Sequence, residues 1–312
     1  MRVLVTGTTG FVGRWMVDEL STAGHVLAGA RGDRVDVTDA AALGAYVDEV
    51  RPDGVIHLAG IAFPPDAARE PEAADRVNIG GTVALLGAVA RLERPPSVVV
   101  VGSSEVYGPP DPRDLPLTEQ ALTRPIGAYG RSKLRQEQAA LEAAQASPVA
   151  IAVTRSFNHT GPGQRAEFVA PALARRLLAA REAGEAEIRV GNIDVRRDFG
   201  DVRDVVRAYR LILEGLAAGN IGSGSVLNVA TGRSVAIGEM LAMLANVVGV
   251  DVRPVRDPAL VRAGEAPEIV GDASRLTALT GWRPSIPLPT TLADLVASVD
   301  LAGHGVIREG GV

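Results

Sequence analysis

Short apolar, β-branched runs alternate along the first half of the chain with longer segments whose apolar residues recur at helical spacing. Residues 3–6 form such a run, ended by Gly7, as in a parallel strand buried on both faces. Phe11, Val12, Trp15, Met16 and Leu20 then recur at the helical period and predict a helix over 11–22. Further strands are predicted at 25–30, 54–59, 98–102 and 149–154, with helices at 39–50, 71–92 and 128–146. Thr38 or Asp39 stands where a side chain caps the helix at 39–50. The alternation predicts an α/β fold, a doubly wound parallel sheet covered by helices on both faces.

Beyond Arg155 the regularity loosens. Gly161-Pro162-Gly163 breaks the chain, and helices are predicted at 169–183, 201–215, 237–248 and 291–299. Short strands are expected at 188–190 and 226–230, and a flexible surface loop at 219–225. These features suggest a smaller, interleaved C-terminal domain. The expected division gives 1–156 and 201–231 to the sheet domain, and 157–200 and 232–312 to the second.

Composition narrows the chemistry. The 312-residue chain has no cysteine, which excludes disulfides, thiolate catalysis and cysteine-ligated metals; no metal site is expected. A net charge of −5 argues against a nucleic-acid partner. No apolar run approaches a membrane span, and the N-terminus runs directly into a motif, so a cytoplasmic protein without a membrane partner is expected.

That motif is Gly7-Thr8-Thr9-Gly10-Phe11-Val12-Gly13, placed between the first strand and the first helix. Glycines there let a pyrophosphate approach the backbone, and the helix N-terminus offers free N–H groups with a favourable dipole. In that position the loop marks a Rossmann-type dinucleotide site, with Gly7, Thr9, Gly10, Phe11, Val12 and Gly13 around the phosphates. Arg31, at the end of the second strand, stands where an acid would grip a ribose 2′-hydroxyl; it suits a 2′-phosphate, leaving NADP(H) or NAD(H) as the cofactor. Asp36 and Val37 are placed to meet adenine, and Leu58-Ala59-Gly60 to pass beside the cofactor's ribose and phosphate.

Tyr129-Gly130-Arg131-Ser132-Lys133 puts a phenol and an ammonium four residues apart on one helical face. A nearby cation favours phenolate, making the tyrosine usable as a proton donor and acceptor. Ser103 follows the fourth strand, at the carboxyl end where α/β ligands bind, and can hold a substrate carbonyl or hydroxyl.

Together the glycine loop, the Ser103 region and Tyr129-to-Lys133 resemble the extended short-chain dehydrogenase/reductase family, and the likeness spans essentially the whole chain. The resemblance implies that Ser103 is the catalytic hydroxyl, that Tyr129 donates the proton, and that Lys133 lowers its pKa and holds the nicotinamide ribose. It adds Asn78, Phe157 and His159 to the cofactor contacts. It also implies a homodimer, paired through the helices at 71–92 and 128–146. The segments 156–164 and 191–204 resemble members of the family that act on GDP-sugars. By that likeness Arg197 and Arg262 contact the diphosphate, Asn158 binds near it, and Glu265 holds ribose hydroxyls. Ser103, Ser104, Glu105 and Val169 complete the substrate contacts.

Two activities fit this pattern: reduction of the 4-keto group of GDP-4-keto-6-deoxy-D-mannose to GDP-D-rhamnose, or 4,6-dehydration of GDP-mannose with Glu105 as base. Serine rather than threonine at 103, the short segment between Arg31 and Asp36, and the turn at 161–164 resemble the reductases. Another nucleotide-sugar epimerase or reductase, or a non-catalytic dinucleotide-binding protein, are the remaining alternatives. The last would be expected to lack Tyr129 or Lys133, and both are present.

Overall fold

The computed structural model describes residues 1–28, 35–261 and 264–304, with side chains described as far as 299. The first half folds as β1 (Arg2–Thr6), α1 (Phe11–Thr22), β2 (Val26–Leu27), α2 (Ala40–Val50), β3 (Gly54–His57), α3 (Pro64–Arg69), α4 (Pro71–Asp75), α5 (Gly81–Val89), β4 (Ser97–Val101), α6 (Ala128–Ala146) and β5 (Ile151–Ser156). Then come β6 (Asn158–Thr160), α7 (Val169–Ala183), β7 (Glu187–Val190), β8 (Arg196–Asp201), α8 (Val202–Ala217), β9 (Ser225–Val229), β10 (Ser234–Ala236) and α9 (Ile237–Val248). The chain closes with β11 (Arg253–Arg256), β12 (Glu268–Ile269), α10 (Ser274–Thr280) and α11 (Leu288–His304).

Six strands form one parallel sheet in the order β2-β1-β3-β4-β5-β9. The order reverses between β1 and β3, and the crevice outside the carboxyl ends of such strands is where α/β folds bind ligands. Helices cover both faces. On one, Met16 and Leu20 of α1 pack with Tyr209, Ile212 and Leu213 of α8. On the other, Leu43 and Val47 of α2 pack with Leu85 and Val89 of α5 and Ala140 of α6. A third cluster joins α7, α9 and α11 through Leu177, Leu244 and Leu295.

Several expectations shift. Asp39, not Thr38, caps α2, its carboxylate accepting from the backbone N–H groups of Ala41 and Ala42. The single helix expected over 71–92 is interrupted by a π-helical turn at Arg76–Gly80 and ends at Val89. The expected surface loop at 219–225 is anchored, because Ile221 is buried in the core and Ser225 opens β9. Strand β8 is not foreshadowed by the hydrophobic pattern. Its sequence, Arg-Arg-Asp-Phe-Gly-Asp, lacks apolar alternation, yet it is the centre of a small sheet that takes β10 antiparallel and both β12 and β6 parallel.

Candidate active site

The glycine loop fits a dinucleotide phosphate. Gly7 adopts φ +76°, and a Cβ on it would lie 2.9 Å from the Ala59 nitrogen. A Cβ on Gly13 would stand 2.1 Å from the Gly7 carbonyl oxygen, so β1, the loop and α1 close together only without side chains. Gly10 begins α1 with no side-chain cap, leaving its first N–H groups directed as an anion site requires. Thr9 and Gly10 are exposed at this end, Val12 is half-buried, and Phe11 stacks on His159 with ring centroids 6.2 Å apart. The Trp15 indole N–H donates to the Pro162 carbonyl, fastening the 161–163 turn over the same helix.

Other expected cofactor contacts turn out to have structural partners. Asp36 accepts from the Thr38 backbone N–H and hydroxyl, and these bonds hold its carboxyl below the usual range. Val37 is buried and packs where Gly81 has no side chain. Asn78 sits fully buried in the π-helical turn. Its Oδ1 accepts from the Ile61 N–H at 2.8 Å and its amide donates to Ser132 Oγ, so it pins the Leu58-Ala59-Gly60 segment to α6. A Cβ on Gly60 would lie 2.7 Å from that Oδ1. Arg31 and Arg262 lie outside the described residues.

Ser103 and Tyr129 come together. Ser103 follows β4 and accepts from the Glu105 N–H, and its hydroxyl acts on the Tyr129 phenol in the direction that favours phenolate. Tyr129 is buried, with Ala67 of α3, Ala74 of α4 and Ile61 in the same apolar cluster. Burial pushes its phenol up to about 12, helped by the charge of Glu105 and opposed by the Ser103 hydroxyl. The lowering expected from Lys133 is not expressed here. The Lys133 ammonium donates instead to the Val101 carbonyl at 3.0 Å and to Gln136 Oε1 at 2.8 Å. Burial brings Lys133 down to about 8, so it stays mostly cationic at neutral pH. The arrangement pairs a protonated phenol with a buried cation one helical turn away.

Ser104, Glu105, Phe157, Asn158 and Arg197 line one cleft together with Asp198 and Ile269. Arg197 is oriented by hydrogen bonds from Nη1 to the carbonyls of Arg196 and Ala266, next to Glu265. Val169 opens α7, 37% exposed and outside the residues lining that cleft.

Motif reading misses the groups that hold this site in shape. Arg155 on β5 makes a bidentate ion pair with Glu137, at 2.9 and 2.6 Å, and lies over the Tyr107 ring. Tyr107 in turn donates to Asn228 at 2.7 Å, which fixes the turn that carries Ser103 to Glu105. Asp198 is buried, accepting from Thr231, Gly232 and Gly271. A signal for Glu137 does exist in the sequence, since it falls four residues after Lys133 on the same helical face.

A phosphate-accepting glycine loop at the sheet's switch point, with a buried Ser–Tyr pair and a lysine cation one turn on, defines an NAD(P)-dependent oxidoreductase of the Tyr-x-x-x-Lys kind. Residues 3–230 match the NAD dependent epimerase/dehydratase family, and the chain belongs to that family, the extended short-chain dehydrogenases/reductases. GDP-6-deoxy-D-mannose reductase of Pseudomonas aeruginosa is 35% identical over 299 residues, 95% of this chain and 96% of that protein. A UDP-glucose 4-epimerase of Azospirillum brasilense is 29% identical, covering 91% and 87% of the two chains. Among solved structures, RMD from Pseudomonas aeruginosa complexed with NADPH superposes with a TM-score of 0.88 at 33% identity, covering 96% of this chain and 99% of that one.

Proposed function

We propose that this protein reduces the 4-keto group of GDP-4-keto-6-deoxy-D-mannose, giving GDP-D-rhamnose. The observation that carries the reading is the buried Tyr129 with Ser103 acting on its phenol and Lys133 one helical turn on, in a chain 35% identical over nearly its whole length to a GDP-6-deoxy-D-mannose reductase. Bound NADPH, or NADH, supplies the hydride. Gly7, Gly10 and Gly13 with the α1 N-terminus hold its pyrophosphate, and Lys133 holds its nicotinamide ribose. Ser103 Oγ orients the substrate's carbonyl oxygen. Tyr129, whose burial keeps it protonated, passes its proton to that oxygen as negative charge develops. Lys133, one helical turn on, is the cation that would offset the phenolate's charge once its ammonium turns from Val101 and Gln136 toward it. Arg197 holds the diphosphate and Asn158 lies beside it, so the sugar's reacting carbon reaches Tyr129.

Residues 1–156 and 201–231 serve the cofactor in this reading, and 157–200 and 232–312 the sugar nucleotide. Two copies pair through α5 and α6; Val83 on α5 is 53% exposed, and a monomer in light scattering at micromolar concentration would remove this part. Among the described residues no helix is long and apolar enough to cross a membrane, and the proposed site of action is the cytoplasm, which cell fractionation tests.

The decisive assay mixes the protein with NADPH and the keto sugar nucleotide and follows the nicotinamide absorbance. No oxidation of NADPH or NADH sinks the reductase reading. A second reading, 4,6-dehydration of GDP-mannose, draws on Glu105, whose charge acts on Tyr129 from the edge of the cleft. Formation of the keto sugar from GDP-mannose without added reductant would favour it.

A further inference from the structure

Lys133 is the only lysine in the chain, and every other side-chain cation of the Lys/Arg class is an arginine. It is 5% exposed, and its carbon stem runs into a buried set of polar groups that the reductase reading does not use: Thr6, His57, Thr82 and Gln136, exposed by 2% or less. Their hydrogen bonds form one chain from β1 to α6. Thr6 Oγ1 meets His57 Nδ1 at 2.8 Å, and His57 Nε2 meets Thr82 Oγ1 at 3.0 Å. The Gln136 amide donates to Thr82 Oγ1 at 2.9 Å, and Lys133 donates to Gln136 Oε1 at 2.8 Å.

Proton accounting leaves this chain one arrangement. The Thr82 hydroxyl has a single proton and gives it to the Asn78 carbonyl at 2.7 Å. His57 Nε2 must therefore carry a proton and donate to Thr82. His57 Nδ1 then accepts from Thr6, whose oxygen is itself an acceptor for the Ala59 N–H at 3.1 Å. Thr82 thus accepts from both His57 and Gln136. Because Thr82 Oγ1 has no proton left to offer Gln136, the amide must present its NH2 to Thr82 and its oxygen to Lys133. A flipped amide would set a donor against the ammonium and take away one of its acceptors, leaving it the Val101 carbonyl.

We infer that Gln136 is a positioning residue for Lys133, its amide orientation locked by the His57–Thr82 pair, so that the lysine's charge and direction depend on a hydrogen-bond chain running back to the strand that carries the glycine loop. The role assigned to Lys133 rests on the reductase reading; the connection between Gln136 and Lys133 does not. Among the described residues His57 from β3, kept neutral by burial, interacts with the charge of Lys133, and Tyr129, kept protonated, stands four residues before it on the same helix. Gln136 is accordingly an acceptor that favours the charged form of the lysine, against the burial that disfavours it.

The single lysine makes the test direct. The full chain carrying lysine labelled with 13C at Cε gives one side-chain signal, whose shift is followed against pH in the wild type and in Gln136→Met. Loss of the acceptor is expected to lower the Lys133 midpoint by about one pH unit, while the backbone spectrum stays that of the folded protein. Thr82→Val, which removes the oxygen that orients the amide, is expected to shift it in the same direction, and Thr82→Ser, which restores that oxygen, to return it to the wild-type value. A folded Gln136→Met protein titrating at the wild-type midpoint overturns the inference. If Gln136→Met does not fold, Thr82→Val and Thr82→Ser titrating alike overturn it equally. The titration uses no sugar nucleotide, so a wild-type protein that fails to oxidise NADPH would sink the reductase reading and leave this result standing.

Discussion

Replacing Arg155 with methionine isolates the contribution of a buried ion pair to the frame of the site. The Arg155 and Glu137 side chains are 7% and 5% exposed and joined by two hydrogen bonds, so the substitution strands a carboxylate away from water. Breaking one partner of such a pair costs about 3–5 kcal/mol. For a chain of this size, at roughly 2 °C of melting temperature per kcal/mol, the expected drop is about 6–10 °C. Differential scanning calorimetry of the wild type, Arg155→Met, Glu137→Leu and the double variant closes a cycle. The double variant should recover most of the loss, since two apolar side chains of similar bulk avoid the stranded charge. An Arg155→Met protein melting within about 2 °C of the wild type would refute the reasoning. It would mean that the carboxylate finds water or another donor, and that the Tyr107 turn does not depend on the pair.

Three further outcomes are expected. Tyr129→Phe should lower kcat by about 10²–10⁴-fold in the NADPH oxidation assay while the affinity for NADPH, read by fluorescence titration, is unchanged. Gly13→Ala should weaken NADPH binding at least about tenfold, because its Cβ would stand 2.1 Å from the Gly7 carbonyl oxygen; an unaltered titration would show that the loop yields without cost. The third concerns acid. His57 is held neutral down to about 3 against an ordinary 6.5, so below 6.5 the unfolded chain binds a proton that the folded chain refuses. Stability therefore falls as pH falls from 6.5 toward 3, by roughly 3 kcal/mol at two units below the ordinary value. Urea unfolding at pH 6.5 and 4.5 should show a steeper loss in the wild type than in His57→Gln, and parallel losses would contradict the assignment.

The parts of the fold visible in the pattern are those whose burial has one period. The helices at 128–146, 169–183 and 237–248 have the bounds the sequence predicts, because each presents a single apolar face and ends at a break. Strand β8 is hidden because its polar residues are held by ion pairs and by neighbouring strands distant in sequence, which no local alternation records. The π-helical turn is hidden for a related reason. It shifts the register by one residue to place Asn78, and a window averaging over the helix blurs that step. Ser103, Tyr129 and Lys133 can be named because motif spacing reflects helix and strand geometry directly. What surrounds them cannot. The state of Lys133 depends on Gln136, Thr82 and His57, polar residues in segments that otherwise read as core, and their meeting is a property of the packed sheet.

A chain with one lysine is also an unusual target for covalent chemistry. Apart from the α-amino terminus, it offers amine-reactive reagents a single primary amine, and that amine lies 5% exposed at the foot of the proposed active site. Beyond the α-amino terminus, acylating dyes, lysine cross-linkers and amine-coupled surfaces should therefore pass over the arginine-studded exterior and gain a second attachment only when the site opens. The rate at which Lys133 gains one mass increment would serve as a clock for that opening, and protection by a bound nucleotide could be read from the same spectrum.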